Sequence, residues 1–240
     1  MNLSFCGAKG PAKKAIYEYY DVVNFANSTI EFVKLNRPYT GTHMIRDPRD
    51  VIISGYLYHA HCKEKWCRNV PDITIRPIEF PQIPRSQYSR SGKWRKEYIQ
   101  SLNGCSYQDN INNRNQNDGI LFEMNHYGRW TIESMLDWDY DNPHIMEIKF
   151  EDVMRDFMGS FEKIFSHYEF SEQISCELLK LIGNENINNI SDKEIQESDH
   201  IHSRQTSKWQ KYFSSEHKAL FKDMFGDVLI NLGYENNNNW

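Results

Sequence analysis

The chain has 240 residues, a formal net charge of −5, and side chains that are 39% hydrophobic and 14% aromatic. That length suits one α/β domain with a core of its own, and the acidic balance argues against nucleic acid as a partner. No run approaches the ~18 apolar residues of a membrane span, the opening MNLSFCGAKG lacks a signal peptide's apolar centre, and the five cysteines form no regular framework. Free thiols in a cytoplasmic protein are therefore expected.

In chain order, the clearest signal is THMIRDPRDVIISGYLYHAH, residues 42–61. It reads as a strand over 42–46, a tight turn, and a helix over 48–60. Asp47 suits the N-cap, Pro48 suits the first helical position, where an N–H would go unpaired anyway, and Asp50 stands where a capping box has its acid. The free N–H groups of a helix start attract anions. Arg46 adds a permanent cation whose planar fork fits phosphate. The segment points to a site for a phosphorylated small molecule.

Residues 63–107 are polar and rich in turn formers, with one short helix expected over Trp94–Leu102. An excursion of that length is expected to be a binding loop or lid. Apolar spacing at Leu121, Met124, Tyr127 and Met135 predicts a helix over 118–136. A short strand holds Ile145, Ile148 and Phe150. A helix then runs from Glu151 through Phe165 with one apolar face. Further helices are expected over 171–181 and 215–232, the last closed by Gly233, before the polar tail 236–239. Strand–helix alternation predicts a parallel sheet flanked by helices on both faces, with the ligand at the strands' C-terminal ends, where Arg46 lies.

RDPRDVIISGY closely resembles the 3′-phosphate-binding motif of sulfotransferases that use 3′-phosphoadenosine 5′-phosphosulfate (PAPS). The motif is Arg, two residues, Arg-Asp or Lys-Asp, and a Ser eight positions after the first Arg: here Arg46, Arg49, Asp50 and Ser54. RPYTGTHMIRDPRD is similar to the lead-in strand of bacterial, especially cyanobacterial, members. DGILFEMNHYGRW, PHIMEIKFEDVMRDF and the segment 200–235 resemble later parts of the family. The resemblance implies a single domain over 1–240, with 63–107 near the acceptor. It implies the P-loop-NTPase-like sulfotransferase fold, PAPS as cofactor with 3′,5′-adenosine bisphosphate as product, a small-molecule hydroxyl acceptor such as a specialised metabolite, and no metal. Arg46 and Ser54 become ligands of the 3′-phosphate, and Phe150 takes the place of a Tyr that contacts adenine.

Three departures accompany the resemblance. The N-terminal phosphate loop, roughly Pro-Lys-Ser-Gly-Thr-Thr in relatives, is replaced by FCGAKGPAKKAIY. Either the loop is remodelled, with Lys9, Lys13 and Lys14 as its cations, or the chain starts downstream of the family's usual beginning. The C-terminal Arg-x-Gly-x-x-Gly-x-Trp reads His202-Ser203-Arg204-Gln205-Thr206-Ser207-Lys208-Trp209. Non-glycine residues resist positive φ, so that loop is expected to be reshaped, with His202, Ser203 and Arg204 near the phosphate. A catalytic His expected upstream is absent from VVNFANS, residues 22–28. His59 and His61 are the remaining base candidates, since imidazole titrates near neutral pH. His59, His61, Cys62 and Cys67 match no zinc spacing. A relative that binds the nucleotide without transferring sulfonate is the alternative function.

Overall fold

The computed structural model describes residues 5–8, 21–25, 37–72, 74, 80–81, 92–186, 189, 191 and 205–240. Lys9, Lys13, Lys14, His202, Ser203 and Arg204, and much of the 63–107 excursion, lie outside the described residues.

Strand β1 (Phe5–Ala8) pairs parallel with β2 (Val22–Phe25), Phe5 opposite Val22. Strand β3 (Gly41–Ile45) pairs parallel with β4 (Ile145–Lys149), Gly41 opposite Ile145 and Ile45 opposite Lys149. Parallel neighbours need a crossover. Here it holds α1 (Pro48–His59), α2 (Lys65–Arg68), α3 (Gly92–Ser101), α4 (Tyr107–Asn112), α5 (Gln116–Asn125) and α6 (Tyr127–Leu136). After β4 come α7 (Phe150–Arg155), α8 (Phe157–His167) and α9 (Glu172–Gly183), and later α10 (Trp209–Tyr212), α11 (Ser215–Phe225) and α12 (Val228–Asn231).

Side chains alternate between the two faces of a strand, and the β3–β4 register decides which face meets which helices. His43 faces Glu147 across the pair, Nδ1 to Oε2 2.6 Å. Ile45, two residues on, shares that face and packs with Ile52 and Ile53 of α1, Ile120 of α5, Ile132 of α6 and Phe221 of α11. Met146 and Ile148 point the other way, against Val153 of α7, Ile164 and Phe165 of α8, and Leu178 of α9. The fold is α/β, a parallel sheet flanked by helices. Complete burial of a side chain such as Ile52 or Ile53 contributes about 1.5–3 kcal/mol each.

Three expected helices are each divided, and each division has a local cause. The 118–136 helix breaks at His126, whose Nδ1 lies 2.8 Å from the Phe122 carbonyl oxygen, the acceptor its own N–H would use in a continuous helix. A side chain inserted into that ladder bends the chain, and the freed N–H of Tyr127 donates to the Tyr107 hydroxyl at 3.2 Å. The 151–165 helix restarts at Asp156, which caps α8 by accepting from the Gly159 N–H at 3.0 Å. A Cβ on Gly159 would meet the Asp156 carboxylate at 2.2 Å, so the cap needs the glycine. The 215–232 helix divides at Gly226, and Gly233 stands at φ 67° just past its end.

Some of the described side chains of 63–107 pack into the core, while most of its described charged residues stay exposed. Cys67, Phe80, Trp94, Tyr98 and Leu102 are buried with Tyr107, Phe122 and Trp130 in one aromatic-rich cluster.

Candidate anion-binding site at the β3–α1 turn

Register places Arg46 and Phe150 side by side, each just past the end of its strand. The Arg46 guanidinium lies over the Phe150 ring, 4.5 Å from its centroid, a cation–π contact that holds the fork in place. One terminal nitrogen stands 3.7 Å from the Asp50 carboxylate. Its Nε is buried with no hydrogen-bond partner. Ser54 is one helical turn beyond Asp50, on the same face of α1. Its Oγ is also buried and unpaired, although a helical serine can ordinarily return its proton to the carbonyl four residues back. The row Arg46, Asp50, Ser54 therefore carries two unsatisfied polar groups, and an unsatisfied buried group costs about 1–3 kcal/mol.

The other arginine of the motif is fully engaged. Arg49 is buried, forked between Asp47 (Nε to Oδ1 3.0 Å, a terminal nitrogen to Oδ2 2.7 Å) and Glu235 (2.6 Å), and stacked 3.8 Å over Trp209. It fastens the C-terminal segment to the turn. Asp47 caps α1 as expected, accepting the Arg49 N–H at 2.9 Å. The second half of the expected capping box belongs to a different residue: the Asp47 N–H donates to Glu151 Oε1 at 3.0 Å, from the end of β4. Asp47 already satisfies part of the helix start, and the unpaired side-chain groups beside it lie on the Arg46–Ser54 face.

Asp50 has a longer reach. Fully buried, it accepts the Ser207 N–H at 2.6 Å and the Trp209 N–H at 2.9 Å. Burial pushes its carboxyl up from the ordinary value, and the Trp209 N–H and Arg46 pull against that push. These bonds clamp 207–209 to the base of the site. Ser207 stands at φ 60°. The reshaping expected of a serine at that position is overturned there: it takes the left-handed backbone that glycine favours, held by the short bond to Asp50.

A family model described as "Sulfotransferase domain" matches residues 42–233, well over half of the chain. The chain belongs to the sulfotransferase family. No curated protein and no solved structure matches it. The match opens at Thr42, within β3, and takes in Arg46, Ser54, Phe150 and the 207–209 clamp of this sulfotransferase; Lys14 precedes it.

The base candidates of this sulfotransferase lie elsewhere. Ser54 and His59 are five residues apart, about 140° around the helix. His59 is buried, Nδ1 2.9 Å from Glu123 Oε2, among the rings of Tyr58, Trp66, Tyr107 and Tyr127 at centroid distances of 4.9–5.3 Å. Burial opposes its charge, but the Glu123 carboxylate outweighs that and raises its pKa. Glu123 is fully buried and also accepts the Tyr107 hydroxyl at 2.9 Å. Gly55 makes room for it, since a Cβ there would stand 2.4 Å from Glu123 Oε1. His61 is exposed just past the helix end. The neighbouring Cys67 thiol holds the Cys62 thiol down at about 7 against the push of burial, Cys67 Sγ lies 3.5 Å from the His59 carbonyl oxygen, and among the described residues no group of three or more side chains could hold a metal ion.

Sequence reasoning did not find the Asp50 clamp or the Glu123–His59–Tyr107 cluster. A fully apolar neighbourhood around Glu123 in ILFEM was the available signal for the second. No spacing rule links Asp50 to residues more than 150 positions away.

Proposed function

We propose that this sulfotransferase moves a sulfonate group from PAPS to a hydroxyl of a small-molecule acceptor of the specialised-metabolite kind, in a cytoplasmic setting and on the bacterial, cyanobacterial-like branch of the family. The observation that carries the reading is the pair of buried, unpaired groups, Arg46 Nε and Ser54 Oγ, on one row at the strand ends. An arginine fork and a hydroxyl suit a phosphomonoester oxygen cluster. In this reading they hold the 3′-phosphate, and Phe150 lies against the adenine.

Bound PAPS would supply the activated sulfonate. The chain's own groups anchor the far end of the nucleotide, and binding energy gained there is spent on orientation at the reacting centre. The Phe150 ring and the Asp50 carboxylate fix Arg46, so little ordering remains to be done when the anion arrives.

A second reading is a nucleotide-binding relative without transfer. It is favoured by β2, where Val22–Phe25 offers no His, Asp or Glu as a base. Radiolabelled PAPS with a panel of hydroxylated small molecules separates the two. Label on an acceptor supports the enzyme. Binding of 3′,5′-adenosine bisphosphate without transfer to any acceptor supports the second reading. Absence of binding overturns both.

A further inference from the structure

Residues 236–239 are exposed, yet the chain returns to the protein at Trp240. The Trp240 indole lies edge to face against Trp209, with centroids 5.6 Å apart and planes at 87°, and against Phe221 at 5.5 Å. The Arg49 guanidinium fills the corner between the two indoles, 3.8 Å from the Trp209 centroid and 4.7 Å from that of Trp240. Lys222 stands 4.8 Å from the same ring. Aromatic faces attract cations, so Trp240 adds a second ring to a guanidinium that Asp47, Glu235 and Trp209 already hold. Both of its neighbours lead to the anion site. Arg49 precedes Asp50 on α1, and the Trp209 N–H is one of the two that Asp50 accepts. One atom does not suit a role in packing alone. Trp240 Nε1 is buried with no hydrogen-bond partner among the described residues, and a buried indole with its donor unpaired packs less favourably than a phenyl ring would.

We propose that Trp240 is a positioning residue of this sulfotransferase: acting through Arg49 and Trp209, its ring holds the Asp50 clamp in place and so keeps the Arg46–Ser54 row set for an anion. The ligand half of the inference rests on the nucleotide reading above; the clamp half does not. The tail is pinned at two further points, Glu235 on Arg49 and Asn238, which donates to Asp227 at 2.6 Å. Trp240 is the residue that joins this tail to the amides of 207–209. Docking of its ring and filling of the site are then coupled, and each favours the other. A phenyl ring at position 240 would keep a face for Arg49 and lose the unpaired donor, whereas a methyl group would keep neither.

Two measurements on the full chain test this. Hydrogen exchange without ligand, read by mass over the segment that holds the Ser207 and Trp209 amides, reports the clamp. Trp240→Ala is expected to speed exchange there by about tenfold and to leave α8, on the other face of the sheet, unchanged. Calorimetry with 3′,5′-adenosine bisphosphate reports the site, where Trp240→Ala is expected to bind about fivefold more weakly. Trp240→Phe is expected to stay close to wild type in both. Ile164→Val, a core change on the α8 side, controls for general loosening and is expected to alter neither. Wild-type exchange at 207 and 209 in Trp240→Ala overturns the inference. Equal acceleration in Ile164→Val, or a Trp240→Phe variant as impaired as Trp240→Ala, overturns it as well. Faster exchange with wild-type affinity overturns the link to the ligand and leaves the nucleotide reading standing. If wild type does not bind the bisphosphate, the nucleotide reading falls with the ligand half, and the exchange data still decide the clamp.

Discussion

Helix α1 has a fully buried carboxylate near each end, and the two are treated differently. Near its C-terminal end Glu123 accepts the Tyr107 hydroxyl and stands 2.9 Å from His59, inside a wall of aromatic rings. The cluster is closed on itself, and its unpaired atom is an acceptor, Glu123 Oε1, pressed against Gly55. Near the N-terminal end Asp50 accepts two backbone N–H groups and faces Arg46. Here the unpaired groups include Arg46 Nε, a donor, and the Ser54 hydroxyl. Burial alone does not mark function. The core carboxylate keeps only an acceptor in reserve, whereas the Arg46–Ser54 row keeps donors, the groups an anion needs.

The largest effect should come from breaking the closed end. Glu123→Ala strands His59 and the Tyr107 hydroxyl, and urea unfolding should show a loss of about 3–5 kcal/mol, with bisphosphate affinity of the folded protein unchanged. A loss below about 1 kcal/mol would mean that the cluster is not tightly coupled. At the open end, Arg46→Ala should cost about 1.5–3 kcal/mol of bisphosphate binding, the worth of a charge-assisted bond, with a smaller loss of stability, because the buried Asp50 keeps its two N–H donors when its facing cation is removed. A stability loss as large as the binding loss would make Arg46 a structural residue.

Gly55→Ala should destabilise by about 1–3 kcal/mol through overpacking, because its Cβ would stand 2.4 Å from Glu123 Oε1; denaturant melts read this directly. The smallest effect is in pH. The pKa of His59 is raised in the fold, so its contribution to stability is complete below the unfolded value of about 6.5 and is lost as pH rises through the folded value. The stability gap between wild type and His59→Gln should therefore narrow on going up from pH 6.5. A gap that widens over that range would contradict protonation of His59 beside Glu123.

The β3–α1 segment was legible because its signals are local: the apolar strand residues Met44 and Ile45, an Asp cap, a Pro at the first helical position, and Ser54 at a fixed distance from Arg46. The breaks in the long helices were not. His126, Asp156 and Gly226 each divert a backbone hydrogen bond or dihedral inside an otherwise helical apolar pattern, and periodicity is blind to that. Asp50 shows the same limit at the site. Its spacing from Asp47 suggested a local capping role, yet Glu151 fills that role from 104 residues away and frees Asp50 for residues 207 and 209. Parallel pairing of β3 with β4 creates that exchange, and pairing partners are not written in local spacing.

The central claim is that Arg46 and Ser54 grip one phosphate. A double-mutant cycle of Arg46→Ala and Ser54→Ala, read by calorimetry with 3′,5′-adenosine bisphosphate, tests it most directly. Two groups on one ligand oxygen cluster should show a coupling of about 0.5–3 kcal/mol, with Ser54→Ala costing far less in the Arg46→Ala background than in wild type. Additive losses, or a Ser54→Ala variant that binds like wild type, would contradict the account.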